Sequence, residues 1–132
     1  MLNISLVTSN RSDFGILKNL CIKLNKHNSI KFNLIITGSH FDRELGYSLS
    51  EINILKKIKN KKIKINVSSN SKKNAIKFMT ETTRKTFDVL VSSKPDFLIL
   101  LGDRFEIFAT AQSAYFLDIP IIHFHGGEIT NN

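Results

Sequence analysis

The chain has 132 residues and 42% of them are hydrophobic, so we expect one domain, residues 1–132, with a buried core. A formal net charge of +8 favours an anionic partner, such as nucleic acid, a membrane surface or a phosphate-bearing small molecule. A single cysteine excludes an intramolecular disulfide, and the lack of a secretion signal or a membrane-spanning apolar run predicts a cytoplasmic protein.

In the first half of the chain, apolar runs and polar turns predict three strands and two helices. The predicted strands lie at residues 2–7, 32–36 and 63–67. Lysines in the third strand predict an edge position. The first helix has one apolar face, at positions 14, 17, 20, 21 and 24. Ser12 or Asp13 is the expected N-cap of this helix, and Cys21 on its apolar face is expected to be a buried, inert thiol. The second helix is short and is expected over residues 51–59.

The second half predicts a long helix, followed by a strand, a short helix and a last strand. The long helix is expected over residues 72–92, after a turn and cap at 68–71. Its expected apolar positions are Ile76, Met79, Thr83, Phe87, Leu90 and Val91. The last two strands, 97–101 and 119–124, are almost continuously apolar, which is typical of central strands covered on both faces. Strands that alternate with helices predict a doubly wound, parallel α/β sheet.

Polar turns follow the first two predicted strands, at the sheet edge where parallel α/β proteins bind ligands. The first turn, residues 8–13, opens a helix and carries Arg11, whose guanidinium suits a phosphate; a simple polar connection explains it equally well. After the second strand, Gly38 either permits close approach or supplies a positive φ, and His40 is either a hydrogen-bonding group or exposed and idle. The glycine patterns of dinucleotide-binding folds and P-loops are absent from the sequence.

Two carboxylates follow the last two predicted strands. Asp103 comes directly after the fourth strand and Glu128 comes just past the fifth, so both are expected at one rim of the sheet. Two acids in different environments can divide into a general acid and a general base. Asp103 can also be explained as a helix cap, and Arg104 and Glu106 as residues that pair only with neighbours.

The segment HFHGGE, residues 123–128, is the most specific pattern. His123 and His125 share one face of the strand, but no nearby cysteine or helical histidine pattern supports a metal site, and we expect none. A polar ligand held by a histidine and Glu128 is the favoured alternative, with Gly126 and Gly127 allowing the backbone to approach it. The basic run at 56–64 lacks aromatic residues and is best explained as a solvated surface.

Taken together, these segments resemble the N-terminal half of the hydrolysing UDP-N-acetylglucosamine 2-epimerases of sialic-acid and legionaminic-acid pathways. The matching segments are TSNRSDFGIL (8–17), TGSHF (37–41), PDFLILLGDRFE (95–106) and IPIIHFHGGEIT (119–130). The resemblance implies a Rossmann-like N-terminal domain of a two-domain GT-B-type enzyme, with the substrate between the domains and no cofactor. It also implies UDP elimination through a 2-acetamidoglucal, followed by water addition that gives N-acetylmannosamine and UDP.

The resemblance assigns roles to individual residues. Asp103 and Glu128 match the catalytic acid and base set of the family. Arg11 matches a residue that contacts the nucleotide, and His40 falls in a loop that lines the active site. The complete set of expected substrate-binding residues is Arg11, His40, Arg104, His125, Gly126 and Gly127.

Family members continue beyond the point that matches Asn132 with a second domain that holds most of the nucleotide. We therefore expect this chain alone to be inactive, and the complete protein to be a homo-oligomer that binds a UDP-sugar but neither nucleic acid nor membrane. UDP-N-acetylglucosamine and a UDP-2,4-diacetamido sugar both fit as substrates. The alternatives are a non-catalytic Rossmann-like module that binds a nucleotide or phosphosugar, and a basic nucleic-acid-binding domain argued from charge alone.

Overall fold

Five strands and four α-helices alternate along the chain in the computed structural model, which describes residues 1–42, 49–53, 57–66, 70–127 and 129. The strands are β1 (Leu2–Thr8), β2 (Ile30–Ile36), β3 (Asn60–Lys62), β4 (Phe97–Leu101) and β5 (Ile121–Phe124). The helices are α1 (Arg11–Lys26), α2 (Leu49–Asn53), α3 (Lys72–Ser93) and α4 (Phe105–Phe116), and a 3-10 turn, Gly38–Phe41, follows β2.

All strand pairs are parallel, and the strand order is β3-β2-β1-β4-β5. Alternate residues of the central strands enter two separate core clusters. Ile4 and Leu6 of β1 pack with the apolar face of α1, whereas Val7 packs with Leu90 of α3 and Ile107 of α4. The sheet is therefore covered on both faces, and the predicted doubly wound parallel α/β fold is confirmed. Among the described residues, no helix is long and apolar enough to cross a membrane.

Helix α1 buries the face predicted from the sequence, including Cys21, but its N-cap is a different residue. Asn10 has an extended backbone, and its side-chain oxygen accepts a hydrogen bond from the Asp13 N–H at 2.9 Å. The predicted caps, Ser12 and Asp13, already lie inside the helix, so that expectation is wrong. The long helix α3 starts where expected, and Ser71 caps it by accepting from the Asn74 N–H.

The third strand lies earlier than predicted. Residues 63–67 alternate in polarity, yet β3 pairs with β2 over Asn60–Lys62. Beyond Lys62, one bond continues the pairing among the described residues, from the Ile63 N–H to the Ile36 carbonyl. Because β2 ends at Ile36, the described residues 64–66 have no strand to pair with, and residue 67 of the predicted strand lies outside the described residues. The expected edge position is confirmed. The short helix α2 is also confirmed, but it begins at Leu49, and the described residues 57–59 lie outside it.

One expectation about burial is wrong. Among the described residues, strand β5 is an edge strand of this sheet rather than a central one, and its Ile121, Ile122 and Phe124 are 38–42% exposed. On α3, the buried residues are Thr82, Thr86 and Leu90, whereas three of its apolar positions are exposed: Ile76, Phe87 and Val91. Helix α4 packs against α3 with small buried residues, such as Ala109 and Ser113, which let the two helices approach closely. The Ser113 hydroxyl donates to the Thr83 carbonyl of α3 at 2.7 Å. This close packing selects the threonine face of α3.

Candidate functional site

The carboxyl ends of β4 and β5 and the start of α1 border a cleft of about 410 Å³. Its lining residues are Asp13, Ile16, Leu101, Gly102, Asp103, His123, His125, Gly126 and Gly127. The structure therefore brings together four residues predicted from the sequence, Asp103, His125, Gly126 and Gly127. Glu128, the second predicted catalytic acid, lies outside the described residues.

Asp103 occupies an exposed position at the end of β4. Gly102 has φ +79°, and this left-handed turn directs the chain away from the strand. Helix α4 then starts with Arg104 as its N-cap residue, and no side chain caps it. Capping therefore does not explain Asp103. In the part of the chain that the structure describes, its carboxylate has no hydrogen-bond partner and is available to a molecule in the cleft.

The turn after β5 is shaped by a histidine and two glycines. The His123 Nε2–H donates to the Gly102 carbonyl at 2.7 Å, which joins this turn to the turn after β4. Gly126 lies so close that a Cβ there would overlap the His123 imidazole. Gly126 therefore accommodates the side chain of His123, which belongs to the preceding strand β5. His125 and Gly127 have φ values of +53° and +74°, so the turn contains two left-handed residues.

Asp13 is a cleft residue that the sequence suggested only as a helix cap. Its Oδ2 accepts hydrogen bonds from the Ser9 hydroxyl at 3.1 Å and the Asn10 side-chain amide at 2.6 Å. Burial raises the pKa of this carboxyl, and the hydrogen bonds and the positive charge of Arg104 oppose that rise. The cleft thus holds a second carboxylate besides Asp103, in a less solvated environment. Its position inside the matching segment 8–17 was the available sign of a role.

Arg104 and Glu106 form an ion pair beside this cleft. The Arg104 Nε donates to the Glu106 Oε1 at 2.8 Å, and this hydrogen bond is the main reason why the pKa of the guanidinium is raised. Arg104 is half exposed and Glu106 is buried. The sequence allowed for such a pair, but the burial of its carboxylate was not expected.

Two further predicted site residues, Arg11 and His40, lie outside the lining of the cleft, as Arg104 does. The Arg11 Nε lies 2.8 Å from Glu51 Oε1 in an exposed ion pair. His40 is fully buried, its Nε2 is 2.9 Å from the Thr8 hydroxyl, and burial lowers its pKa to about 4. The alternative of an exposed, idle histidine is therefore wrong, and substrate contact by either residue stays a prediction.

A metal site and the basic run were the other two features considered from the sequence. Within the described ranges, no group of three or more potential ligands could hold a metal ion. The basic run at 56–64 contributes Lys59 and Lys61 to a different cavity, of about 250 Å³, between β2, β3 and the end of α3. Lys31 and Ser5 also line that cavity, and none of the described residues of the basic run, 57–64, lines the cleft.

Comparisons with known proteins give a consistent result. A family model described as UDP-N-acetylglucosamine 2-epimerase matches residues 22–132. The chain is 32% identical over 127 residues to GDP/UDP-N,N'-diacetylbacillosamine 2-epimerase (hydrolyzing) of Campylobacter jejuni, covering 96% of the chain and 33% of that relative. It is 33% identical over 135 residues to polysialic acid biosynthesis protein P7 of Escherichia coli, covering 98% and 33%.

A solved structure of similar fold is the UDP-GlcNAc 2-epimerase from Neisseria meningitidis bound to UDP-GlcNAc. The TM-score is 0.79 at 26% identity, and the similarity covers 99% of this chain and 33% of that one. The chain thus spans about a third of the length of the relatives that it matches.

Proposed function

The chain belongs to the UDP-N-acetylglucosamine 2-epimerase family, and from this premise we propose that it forms the N-terminal part of a hydrolysing UDP-sugar 2-epimerase. The proposed substrate is UDP-N-acetylglucosamine or a UDP-2,4-diacetamido sugar, and the products are the 2-epimeric free sugar and UDP. Relatives with names for both substrates support this range. The alternative is a nucleotide-binding or phosphosugar-binding module without turnover.

The observation that carries the proposal is the environment of Asp103. A carboxylate at the carboxyl end of a central strand, exposed to a cleft and not used as a cap, is a suitable proton-transfer group. Asp13 lies in the same cleft in a less solvated environment. Burial favours the protonated form of Asp13, so the cleft offers a carboxyl that is easier to protonate than an exposed one.

In the proposed reaction, a carboxylate removes the proton from C2 of the sugar while the bond between C1 and the UDP oxygen breaks. UDP leaves with the electron pair of that bond, and a 2-acetamidoglucal remains. Water then adds its oxygen at C1 and a proton at C2, on the face opposite the original hydrogen. We assign the acid and base roles to Asp103 and Glu128. The overall change is a hydrolysis with inversion at C2, and it requires no redox cofactor because neither the elimination nor the addition transfers a hydride.

We also propose that further polypeptide completes the cleft and that residues 1–132 alone are inactive. Apolar side chains at the β5 edge and on α4 support this, because exposed apolar patches of this kind mark contact surfaces. The exposed residues are Phe105, Phe108, Tyr115, Phe116, Ile121, Ile122 and Phe124. Relatives about three times as long provide a source for the covering segment. The single-domain boundary, the cytoplasmic location and the homo-oligomer remain predictions.

The first experiment incubates the full-length protein that contains this chain with each UDP-sugar in D₂O and follows the products by NMR. We expect UDP release and a free 2-epimeric sugar that carries deuterium at C2, because the glycal takes its C2 proton from solvent. Sugar that retains hydrogen at C2 would contradict elimination. Binding of the UDP-sugar without any UDP release would favour the non-catalytic module.

The second experiment tests the carboxylates in the same protein. Asp103→Asn and Glu128→Gln should each lower kcat by at least roughly 100-fold, with a much smaller effect on substrate affinity. Asp88→Asn is the matched control, because Asp88 is an exposed aspartate on α3 that pairs only weakly with Arg84, at 3.5 Å. Turnover that survives both site substitutions would show that the acid and base assignment is wrong.

A further inference from the structure

Glu106 is a buried carboxylate whose charge is matched by a partly exposed arginine. Glu106 is 3% exposed, whereas the side chain of Arg104 is 51% exposed. Burial of an ionised carboxylate is costly unless a cation and hydrogen bonds compensate for the lost water. The 2.8 Å bond from the Arg104 Nε supplies that compensation. The pair thus has one end fixed in the protein interior and the other end at the rim.

The position of Glu106 is fixed by the turns that follow three different strands. The residue lies in the first turn of α4, directly after the β4 turn. Gly38, in the turn after β2, lies close to both Glu106 and Ser9. A Cβ added at Gly38 would be 3.0 Å from the Glu106 Oε1. The same Cβ would overlap the carbonyl oxygen of Ser9, in the turn after β1. The Ser39 N–H also donates to the Ser9 carbonyl at 2.8 Å, which joins these two turns. The carboxylate is therefore held by packing that an exposed ion pair does not have.

The guanidinium of Arg104 is held by one nitrogen only. Its Nε is used by Glu106, and no other described residue accepts a hydrogen bond from its two outer nitrogens, Nη1 and Nη2. A planar guanidinium that is fixed in this way presents two parallel donors, the geometry that binds a phosphate group in a bidentate manner. Asp13 is the other carboxylate whose charge acts on Arg104, and it already accepts two hydrogen bonds from its own turn.

We propose that Glu106 is a positioning residue that holds Arg104 at the rim, so that Nη1 and Nη2 bind the diphosphate of the sugar nucleotide. This inference rests on the proposed function. A purely structural ion pair, which would only stabilise the start of α4, is the competing explanation. The two explanations differ because a positioning role acts on substrate affinity and depends on Arg104.

The experiment uses steady-state kinetics of the full-length protein with its UDP-sugar. Glu106→Gln keeps the size of the side chain but removes its charge, so the hydrogen bond that orients Arg104 is weakened. We expect KM to rise roughly 10-fold or more while kcat stays within about threefold, because a ground-state contact to the diphosphate is lost. Arg104→Ala should raise KM by at least as much. In the Arg104→Ala background, Glu106→Gln should change KM by less than about twofold, because Glu106 acts through the arginine.

The matched control is Glu81→Gln on α3, which breaks another 2.8 Å ion pair, with Lys85, away from the cleft. It should leave KM unchanged. Glu106→Asp, which keeps the charge on a shorter side chain, repeats the cycle if Glu106→Gln does not fold. Unchanged KM in the folded Glu106 variants, or losses that multiply in the double variant, would overturn the positioning role. Absence of turnover in the wild-type protein would instead refute the proposed function, and this inference would fall with it.

Discussion

His40 makes the stability of the fold depend on pH in a direction that the structure specifies. Its ring is fully buried, packs edge-on against Phe14, and has Nε2 2.9 Å from the Thr8 hydroxyl. Burial disfavours the charged imidazolium and lowers the pKa to about 4, from an ordinary value of 6.5. Above pH 6.5 the ring is neutral in both states. As the pH falls from 6.5 towards 4, the unfolded chain binds a proton that the folded chain does not bind, so the folded state loses stability.

The size of this effect follows from the shift in pKa. A shift of about 2.5 units at about 1.4 kcal/mol per unit corresponds to roughly 3 kcal/mol of stability lost by pH 4. His40→Gln removes the titrating group and keeps a polar side chain near Thr8, so its stability should fall less over the same range. The raised pKa of Asp13 has the opposite sign, because an acid that is easier to protonate when folded gains stability as the pH falls. Asp13 is present in both proteins, so the difference between them isolates His40.

Urea unfolding, followed by circular dichroism at about pH 7, 5.5 and 4, measures the free energy of unfolding of the full-length protein and of its His40→Gln variant. The difference between the two pH profiles gives the contribution of His40. An NMR titration of the His40 ring gives its pKa independently. His27→Gln, which removes an exposed histidine just after α1, is the control and should keep the wild-type profile. Parallel pH profiles for the wild type and His40→Gln, or a His40 ring that titrates near its ordinary pKa, would show that the buried-histidine argument is wrong.

Three further predictions concern single side chains. Gly38→Ala should destabilise the protein by about 2 kcal/mol or more, since φ is +65° and the new methyl group would overlap the Ser9 carbonyl oxygen. In contrast, Gly15→Ala lies at an open position of α1 and should stabilise the protein by roughly 0.5–1 kcal/mol. Thermal unfolding of both variants tests this pair. Gly126→Ala should displace the His123 ring and weaken binding of the sugar nucleotide in calorimetry, and unchanged affinity would contradict the proposed role of this turn. Cys21, whose pKa burial raises to about 12, should react with a thiol reagent only as fast as the protein unfolds, so rapid labelling of the native protein would contradict its burial.

The sequence predicted those elements whose pattern has a single interpretation. The apolar face of α1 and the run that forms β4 each have one favourable arrangement, and both were located within a few residues. The third strand was misplaced because a strand needs a partner as well as an alternating pattern. Strand β2 ends at Ile36, so pairing occurs at Asn60–Lys62, where the lysines gave no apolar pattern. Local periodicity does not contain that information.

The cleft was predicted in part for a similar reason. Asp103 and the turn at 125–127 were expected because they follow apolar runs, and a parallel sheet places the ends of such runs at one edge. Asp13 and Glu106 were missed because their importance comes from burial against other turns, which depends on the three-dimensional arrangement. Positive φ at Gly38 identifies the close contact that fixes Glu106, but a lone glycine in the sequence fits many kinds of turn.

The strand β5 links the candidate site to the exposed apolar surface formed by β5 and α4. Its inward neighbour is β4, its other edge is open within the described residues, and its final turn supplies His125, Gly126 and Gly127 to the cleft. His125 in that turn has a left-handed backbone, which is strained for a residue other than glycine and persists only when the surroundings determine it. A segment that packs on Ile122 and Phe124 would therefore cover apolar surface and hold the turn in the same step. Under the proposed function, packing of further polypeptide and assembly of the site are coupled through β5, which is the physical reason to expect little activity from residues 1–132 alone.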